Sequence, residues 1–406
     1  MASRSWRSPT AILIAATAIL LTSFGVRQTY GLFLAPVTAS HGWSLEVFSF
    51  AMALQTLIWG VSQPLCGAIA DRYGAGRVVC AGIALYAVGL WLMSTAETPA
   101  GMWLSTGLLT GLGVSGTSFP ILLAVVGRSV APERRSLFLG IASAGGSSGQ
   151  LLLVPTAQFF ISTHGHVATM AILAVLIACM VPLAAVVSGR QRAPDGGAGL
   201  DLSVGAAVRE ASGHSGYILL VVGFFVCGFQ TMFIGAHLPA YLQFAGRSPE
   251  LGAEALALIG LFNMIGCFVW GALGGRFSKK YLLAILYMAR SATMAAFILL
   301  PISDVGVWLF ASVTGLMFLA TVPLTSGLVA QIFGPQYMAM LYGFAFFSHQ
   351  IGSFLGIWLG GKLYAMYHSY DPIWWTAIAL GFVAALIHWP IDERAVPRLA
   401  AQAAAR

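Results

Sequence analysis

Two arginines stand inside long apolar stretches of this chain, Arg27 in TAILLTSFGVRQTYGLFLAPV and Arg290 in LLAILYMARSATMAAFILL. A guanidinium keeps its charge at any physiological pH. At the centre of a bilayer helix it costs about 2.5–3.5 kcal/mol on insertion scales, so it faces protein or water and often marks a substrate path. Helical spacing puts Ser23 at i−4 and Tyr30 at i+3 from Arg27 on one face, a polar stripe around a fixed positive charge that would seat an anion. The other reading is that Arg27 snorkels outward or bonds the carbonyls of a broken helix. His349 shares a stripe with Tyr342, Ser353 and Gly356. A histidine there is cationic part of the time, which suits substrate binding or proton coupling, and a satisfied structural donor fits equally. Arg290, with Tyr287 at i−3, either touches substrate or braces its helix against the neighbouring spans. Asn263, Gln350 and Gln230 are expected to shape the pocket with Tyr30, and His237, Gln55, Ser147 and Gln150 are further polar residues on helices expected to line a cavity.

Other chemistry is missing. No hydrolytic triad, phosphate-cradling loop or metal-ligand spacing is present, so neither catalysis, a metal nor a cofactor is expected. Cys66, Cys80, Cys179, Cys227 and Cys267 lie in apolar stretches without CxxC spacing and read as packing residues. The acids fall in loops or at helix ends, Glu46, Asp71, Glu97, Glu133, Glu254, Asp304 and Asp371 among them, which leaves a cationic substrate without a counter-charge.

The elements that must position these residues follow from composition. Of 406 residues 58% are hydrophobic and 8% charged, against about a quarter charged in soluble proteins, which excludes a water-soluble domain, a disordered chain and a nucleic-acid binder. A span takes about 20 apolar residues, and hydropathy gives twelve candidate helices near 10–36, 44–70, 77–95, 100–127, 135–162, 167–188, 215–243, 251–274, 281–301, 305–331, 338–366 and 373–391. The chain is read as an all-α membrane protein. Arg4 and Arg7 ahead of the first apolar run imitate an export signal, but the run continues to Leu34 and is read as a retained helix. Trp374 and Trp375, at a helix end, read as part of an interfacial belt.

With the N-terminus inside, sixteen of the twenty Lys and Arg fall on the cytoplasmic side and only Arg247 and Lys362 outside, the bias the positive-inside rule demands. Cytoplasmic N- and C-termini in a cell's inner (plasma) membrane are therefore expected, and the basic balance needs no nucleic-acid partner. The longest polar stretch, within 189–214, divides the chain into a six-helix half at 1–188 and another at 215–406. Pro120, Pro132, Gly140 and Gly149 recur as Pro323, Pro335, Gly343 and Gly352 at one offset of 203, and Gly67 and Arg72 recur as Gly271 and Arg276 at 204. Two pseudo-symmetric six-helix repeats follow.

Between spans 2 and 3 stands Gly67-Ala-Ile-Ala-Asp71-Arg72-Tyr-Gly74-Ala-Gly-Arg77, with a worn copy, Gly271-Ala-Leu-Gly-Gly-Arg276, between spans 8 and 9. This resembles the GxxxDRxGxxR signature of the major facilitator superfamily. The resemblance implies twelve transmembrane helices in two halves that rock about a central site, with Gly67, Asp71, Arg72, Gly74, Arg77 and Arg276 forming a cytoplasmic conformational latch. Ala144-Gly-Gly-Ser-Ser-Gly149-Gln150 with Pro155, Ser348-His349-Gln350-Ile-Gly352 and His237-Leu-Pro-Ala-Tyr-Leu242 are similar to the oxalate:formate antiporter and monocarboxylate porter branch. That branch carries its substrate arginine in span 8, where this chain has Asn263, so that role is not carried over. The expected function is secondary transport of a mono- or dicarboxylate by a monomer, coupled to protons or a counter-anion. The alternative is a proton-coupled efflux pump for neutral or apolar compounds, suggested by Gly145-Gly146 and Gly149, which loosely resemble an exporter glycine motif.

Overall fold

The computed structural model describes residues 8–130, 132–188, 204–334 and 338–397, and regular structure among them is helical. The first half holds α1 (Pro9–Gln28), α2 (Tyr30–His41), α3 (Leu45–Tyr73), α4 (Ala75–Ser94), α5 (Pro99–Met102), α6 (Thr110–Gly116), α7 (Phe119–Ser129), α8 (Pro132–Ala178) and α9 (Val181–Val186). A short α10 (Val204–Ser212) precedes α11 (Ser215–Phe244), α12 (Pro249–Gly274), α13 (Lys279–Leu299), α14 (Asp304–Met317), α15 (Thr321–Phe333), α16 (Met338–Tyr367) and α17 (Asp371–His388). Ten stretches among the described residues are long and apolar enough to cross a bilayer. One of them, Ala144–Val186, is two spans, because Gly165 at φ 81° and ψ 165° interrupts α8. The thirty-residue α16, with Ser348, His349 and Gln350 at mid-length, completes twelve.

Three spans read as single helices are interrupted. Span 1 breaks at Thr29, whose hydroxyl turns back onto the Val26 carbonyl at 2.7 Å, and the chain resumes as α2. This local hydroxyl-to-backbone bond competes with helix propagation. Span 4 breaks at Thr117-Ser118, just ahead of Pro120 in the first turn of α7, where a missing N–H is tolerated. It also winds wide over Trp103–Leu109, between α5 and α6. Span 10 breaks between Met317 and Thr321, again ahead of a proline, Pro323. Both of the latter breaks fall at matching places in the repeat.

The described residues form two compact units. The first comprises those of Met1–Ala193 with Gly235–Leu261 and Ile357–His368, and the second those of Pro194–Ile234, Phe262–Gly356 and Ser369–Arg406. The first unit thus holds the first half together with the ends of α11, α12 and α16 that point away from the basic loops. Residues 189–203 of the expected linker lie outside the described residues.

In each unit a repeat-related helix pair is among those that meet main chain to main chain through glycines. In the first, a Cβ on Gly25 of α1 would stand 2.7 Å from the Gly149 carbonyl oxygen of α8, and one on Gly149 would collide with the Leu21 carbonyl. In the second, a Cβ on Gly228 of α11 would collide with the His349 carbonyl of α16, and one on Gly352 with that of Phe225. Gly149 and Gly352 are the repeat-related pair, so the repeat marks two equivalent crossings. Trp374 corrects the sequence reading: it is fully buried against Phe233, 4.9 Å between ring centroids, while Trp375 beside it is exposed. Past α17 the chain is tied back, Lys280 N–H donating to Glu393 Oε1 at 2.8 Å and Val396 N–H to the Ile332 carbonyl at 2.9 Å.

Overpacking a filled crossing costs about 1–3 kcal/mol. Gly149→Val and Gly352→Val should each lower the thermal midpoint of the detergent-solubilised protein. Gly343→Ala, where an added Cβ meets nothing within 4 Å, should leave it unchanged or raise it.

Candidate functional site

The residues capable of recognition gather in two clusters, one in each unit. In the first, α1 ends one residue past Arg27, and the break at Thr29 leaves the guanidinium at a helix terminus. Arg27 is 9% exposed, and its Nη2 donates to Thr56 Oγ1 at 3.1 Å. The guanidinium lies 5.0 Å from the centroid of the Trp59 ring, in cation–π range. Thr56 and Trp59 are three residues apart on α3, so one helix face supplies both. The phenols of Tyr30 and Tyr86 are close enough to interact with the charge. Tyr86 is fixed by donating to the Ser23 carbonyl at 3.2 Å, and Gln55 by donating to Thr110 Oγ1 at 3.0 Å. Below this layer Gln63 accepts from Trp59 Nε1 at 2.8 Å and from Ser118 Oγ at 2.6 Å, which ties α3 to the break in span 4.

Ser23, expected on the Arg27 stripe, bonds Thr117 Oγ1 at 2.7 Å instead and serves the helix interface. Tyr30 stays with the arginine. Thr56, Trp59 and Tyr86 were not foreseen, although Gln55, Thr56, Trp59 and Gln63 run at i, i+1, i+4 and i+8 along one face of α3, a stripe visible in the sequence.

The second unit holds Arg290 at zero exposure. Its Nε donates to Gln230 Oε1 at 2.8 Å, and its Nη1 to the carbonyls of Phe318 at 3.1 Å and Met317 at 3.4 Å. Those carbonyls lie at the break in span 10, so the cation occupies the negative end of α14. Arg290 therefore braces span 9 against spans 7 and 10. Gln230 is spent on the same task, its Nε2 donating to the Ala377 carbonyl at 2.7 Å and to Ser291 Oγ at 3.3 Å. Asn263 Oδ1 accepts from Leu319 N–H at 3.0 Å, a second repair of that break. The Cys227 thiol, read as packing, sits 3.0 Å from Thr321 Oγ1 and 3.8 Å from Arg290 Nη1.

His349 is 5% exposed. Its Nδ1 is 3.2 Å from Gln350 Oε1 and 3.4 Å from Ser353 Oγ, its ring packs against Phe224 at 4.9 Å, and its Nε2 is buried without a hydrogen-bond partner. Among the described residues Arg27 and Arg290 are the buried permanent charges, and no carboxylate is buried.

Of the expected latch, Gly74 joins α3 to α4 alone, at φ 99°, which explains a glycine there. Gly67 has open space around it, and Arg77 and Arg276 are exposed. The side chains of Asp71 and Arg72 lie outside the described residues.

The sequence pattern of the Major Facilitator Superfamily matches residues 14–357. The oxalate:formate antiporter of Oxalobacter formigenes is 24% identical, over 95% of this chain and 91% of its own. Monocarboxylate transporter 13 of Rattus norvegicus is 23% identical, over 84% of this chain and 78% of its own. Among solved structures a D-xylose–proton symporter superposes with a TM-score of 0.73 at 13% identity, covering 96% of this chain and 99% of its own.

Removing one acceptor of a buried cation costs about 1.5–3 kcal/mol, more than the loss of a bond between neutral groups. Gln230→Leu should therefore lower the thermal midpoint clearly further than Gln55→Leu, which removes a neutral pair, in parallel melts of the two purified variants.

Proposed function

The chain belongs to the major facilitator superfamily, and on that premise we propose that it is a secondary transporter of a small organic anion, a mono- or dicarboxylate. Membership makes it a multi-pass membrane transport protein rather than an enzyme. The observation that carries the anion reading is the setting of Arg27. A permanent cation is buried among a hydroxyl, an indole and two phenols, and no buried carboxylate is present among the described residues to receive a cationic guest. A carboxylate brought against a buried guanidinium gains charge-assisted hydrogen bonds. The two carboxylate-carrying relatives support the same class.

In the proposal Arg27 and Tyr30 hold the carboxylate. In its own unit His349, flanked by Gln350, offers through the buried Nε2 a further hydrogen bond, or a charge when the ring is protonated. Arg290, Gln230 and Asn263 contribute by keeping the broken span in shape. The halves 1–188 and 215–406, joined by 189–214, rock as a monomer in the inner (plasma) membrane with both termini inside. Gly67, Asp71, Arg72, Gly74, Arg77 and Arg276 latch one of the two positions. A negative interior opposes anion entry by about 2.3 kcal/mol per charge per 100 mV, so uptake runs with co-transported protons or against a counter-anion. The efflux alternative rests on Gly145, Gly146 and Gly149, which face Thr17, Phe119 and the Leu21 carbonyl as close-packing positions.

In proteoliposomes Arg27→Ala should cut oxalate or formate flux by at least about thirtyfold, the worth of a hydrogen bond to a charge, while circular dichroism and gel-filtration profile stay as in the parent. Arg27→Lys should retain part of the flux. Undiminished flux in the alanine variant overturns the assignment.

A further inference from the structure

One buried amide spans helices from the two halves of the chain. Gln150 of α8 is 4% exposed. Its Oε1 accepts from Gln28 Nε2 at 2.8 Å, and its Nε2 donates to the main-chain carbonyl of Leu256 at 2.7 Å. Gln28 is the last residue of α1 and the covalent neighbour of Arg27. Leu256 lies in the body of α12, in the second half, and all of these residues sit within the first unit.

The arrangement is built by glycines. The crossing of Gly25 and Gly149 brings Gln28, one turn further along α1, and Gln150, one residue along α8, within reach of each other. A Cβ on Gly260 of α12 would stand 3.0 Å from Gln150 Cγ, so the bare glycine is what lets α12 come close enough. The partners also fix the orientation of the amide. Flipped, its NH2 would oppose that of Gln28 and its oxygen would oppose a carbonyl.

The same unit joins the halves elsewhere, at the start of α3 and the far end of α16. There Trp358 Nε1 donates to Glu46 Oε1 at 3.2 Å, Lys362 covers the Trp358 ring at 4.8 Å, and Ser49, at zero exposure, sits against Gly361. These contacts hold second-half helix ends on first-half helices, and the Gln150 bond is the one adjacent in sequence to the cation.

We propose that Gln150 is the positioning residue that ties the arginine-bearing end of α1 to α12. An anion drawn to Arg27 moves the end of α1 together with its partner α8, the Gln150–Leu256 bond carries the displacement to α12, and the hold on the second-half helix ends changes with it. The transmission rests on the anion reading. The tie itself does not.

The test reads the seating of α16 on α3 through the labelling rate of Ser49→Cys by a polar maleimide, in the full-length protein with its five natural cysteines replaced by alanine. Loss of one buried hydrogen bond weights an equilibrium by about fivefold. Gln150→Ala should accelerate labelling by about that factor. Gln150→Glu should do the same, since a carboxylate still accepts from Gln28 but cannot donate to the Leu256 carbonyl. Gly260→Ala should do so as well by displacing an intact Gln150, and it carries the test if position 150 does not tolerate change. Saturating oxalate should alter the labelling rate in the parent and leave it unaltered in Gln150→Ala. Unchanged labelling in all three variants overturns the tie, whatever Arg27→Ala does to flux. Accelerated labelling together with undiminished flux in Arg27→Ala leaves the tie standing and removes the anion reading.

Discussion

A guanidinium cannot shed its proton to escape a dry environment, so each of the two buried arginines has to be met by groups that the fold brings to it. Both lie 5.0 Å from an aromatic ring centroid, Arg27 at Trp59 and Arg290 at Tyr287, and they differ in their hydrogen bonds. Arg290 donates to an amide oxygen and to the free carbonyls of an interrupted helix, while its Nη2 is buried without a hydrogen-bond partner. Arg27 is met by a hydroxyl that it donates to, an indole face and two phenols. These neighbours orient the cation. One arginine closes a broken span, and the other sits at the end of α1 in the first unit.

The repeat gives this contrast a frame. The helix pairs α1–α8 and α11–α16 cross through equivalent glycines, and spans 4 and 10 break at equivalent places. The scaffold is therefore shared while the chemistry is not. At the offset of 204 that relates Gly67 to Gly271, Tyr86 is the counterpart of Arg290. In the first half a phenol on span 3 attends a cation on span 1, and in the second a cation on span 9 attends an amide on span 7. Duplicated packing with diverged polar residues lets one half hold its cation beside a hydroxyl and an indole while the other sets its cation against its own backbone.

Much of this was legible in the sequence because it is written in local pattern. Apolar length gave the twelve spans, the loop signature gave the family, and glycine and proline spacing gave the repeat. The signature glycine, Gly74, proved to be a positive-φ joint between two helices. What stayed hidden depends on which side chains meet across helices. Composition along one helix could not say that Arg290 reaches the carbonyls of span 10, that Ser23 turns away from Arg27 to Thr117, or that Trp374 is swallowed by Phe233 and its neighbours rather than lying at the interface. The interruptions at Thr29 and after Met317 were missed for a related reason. Hydropathy averages over a window longer than the turn that breaks.

Where two helices touch through bare main chain, no side-chain rotamer stands between their axes to be reshuffled, and neither can slide or tilt against the other without atoms overlapping. The α1–α8 and α11–α16 pairs are rivets in this sense. Any change of conformation has to be absorbed elsewhere, and the interruptions at Thr29, at Thr117-Ser118, at Gly165 and between Met317 and Thr321 are the places with room for it, the first and the last beside a buried arginine.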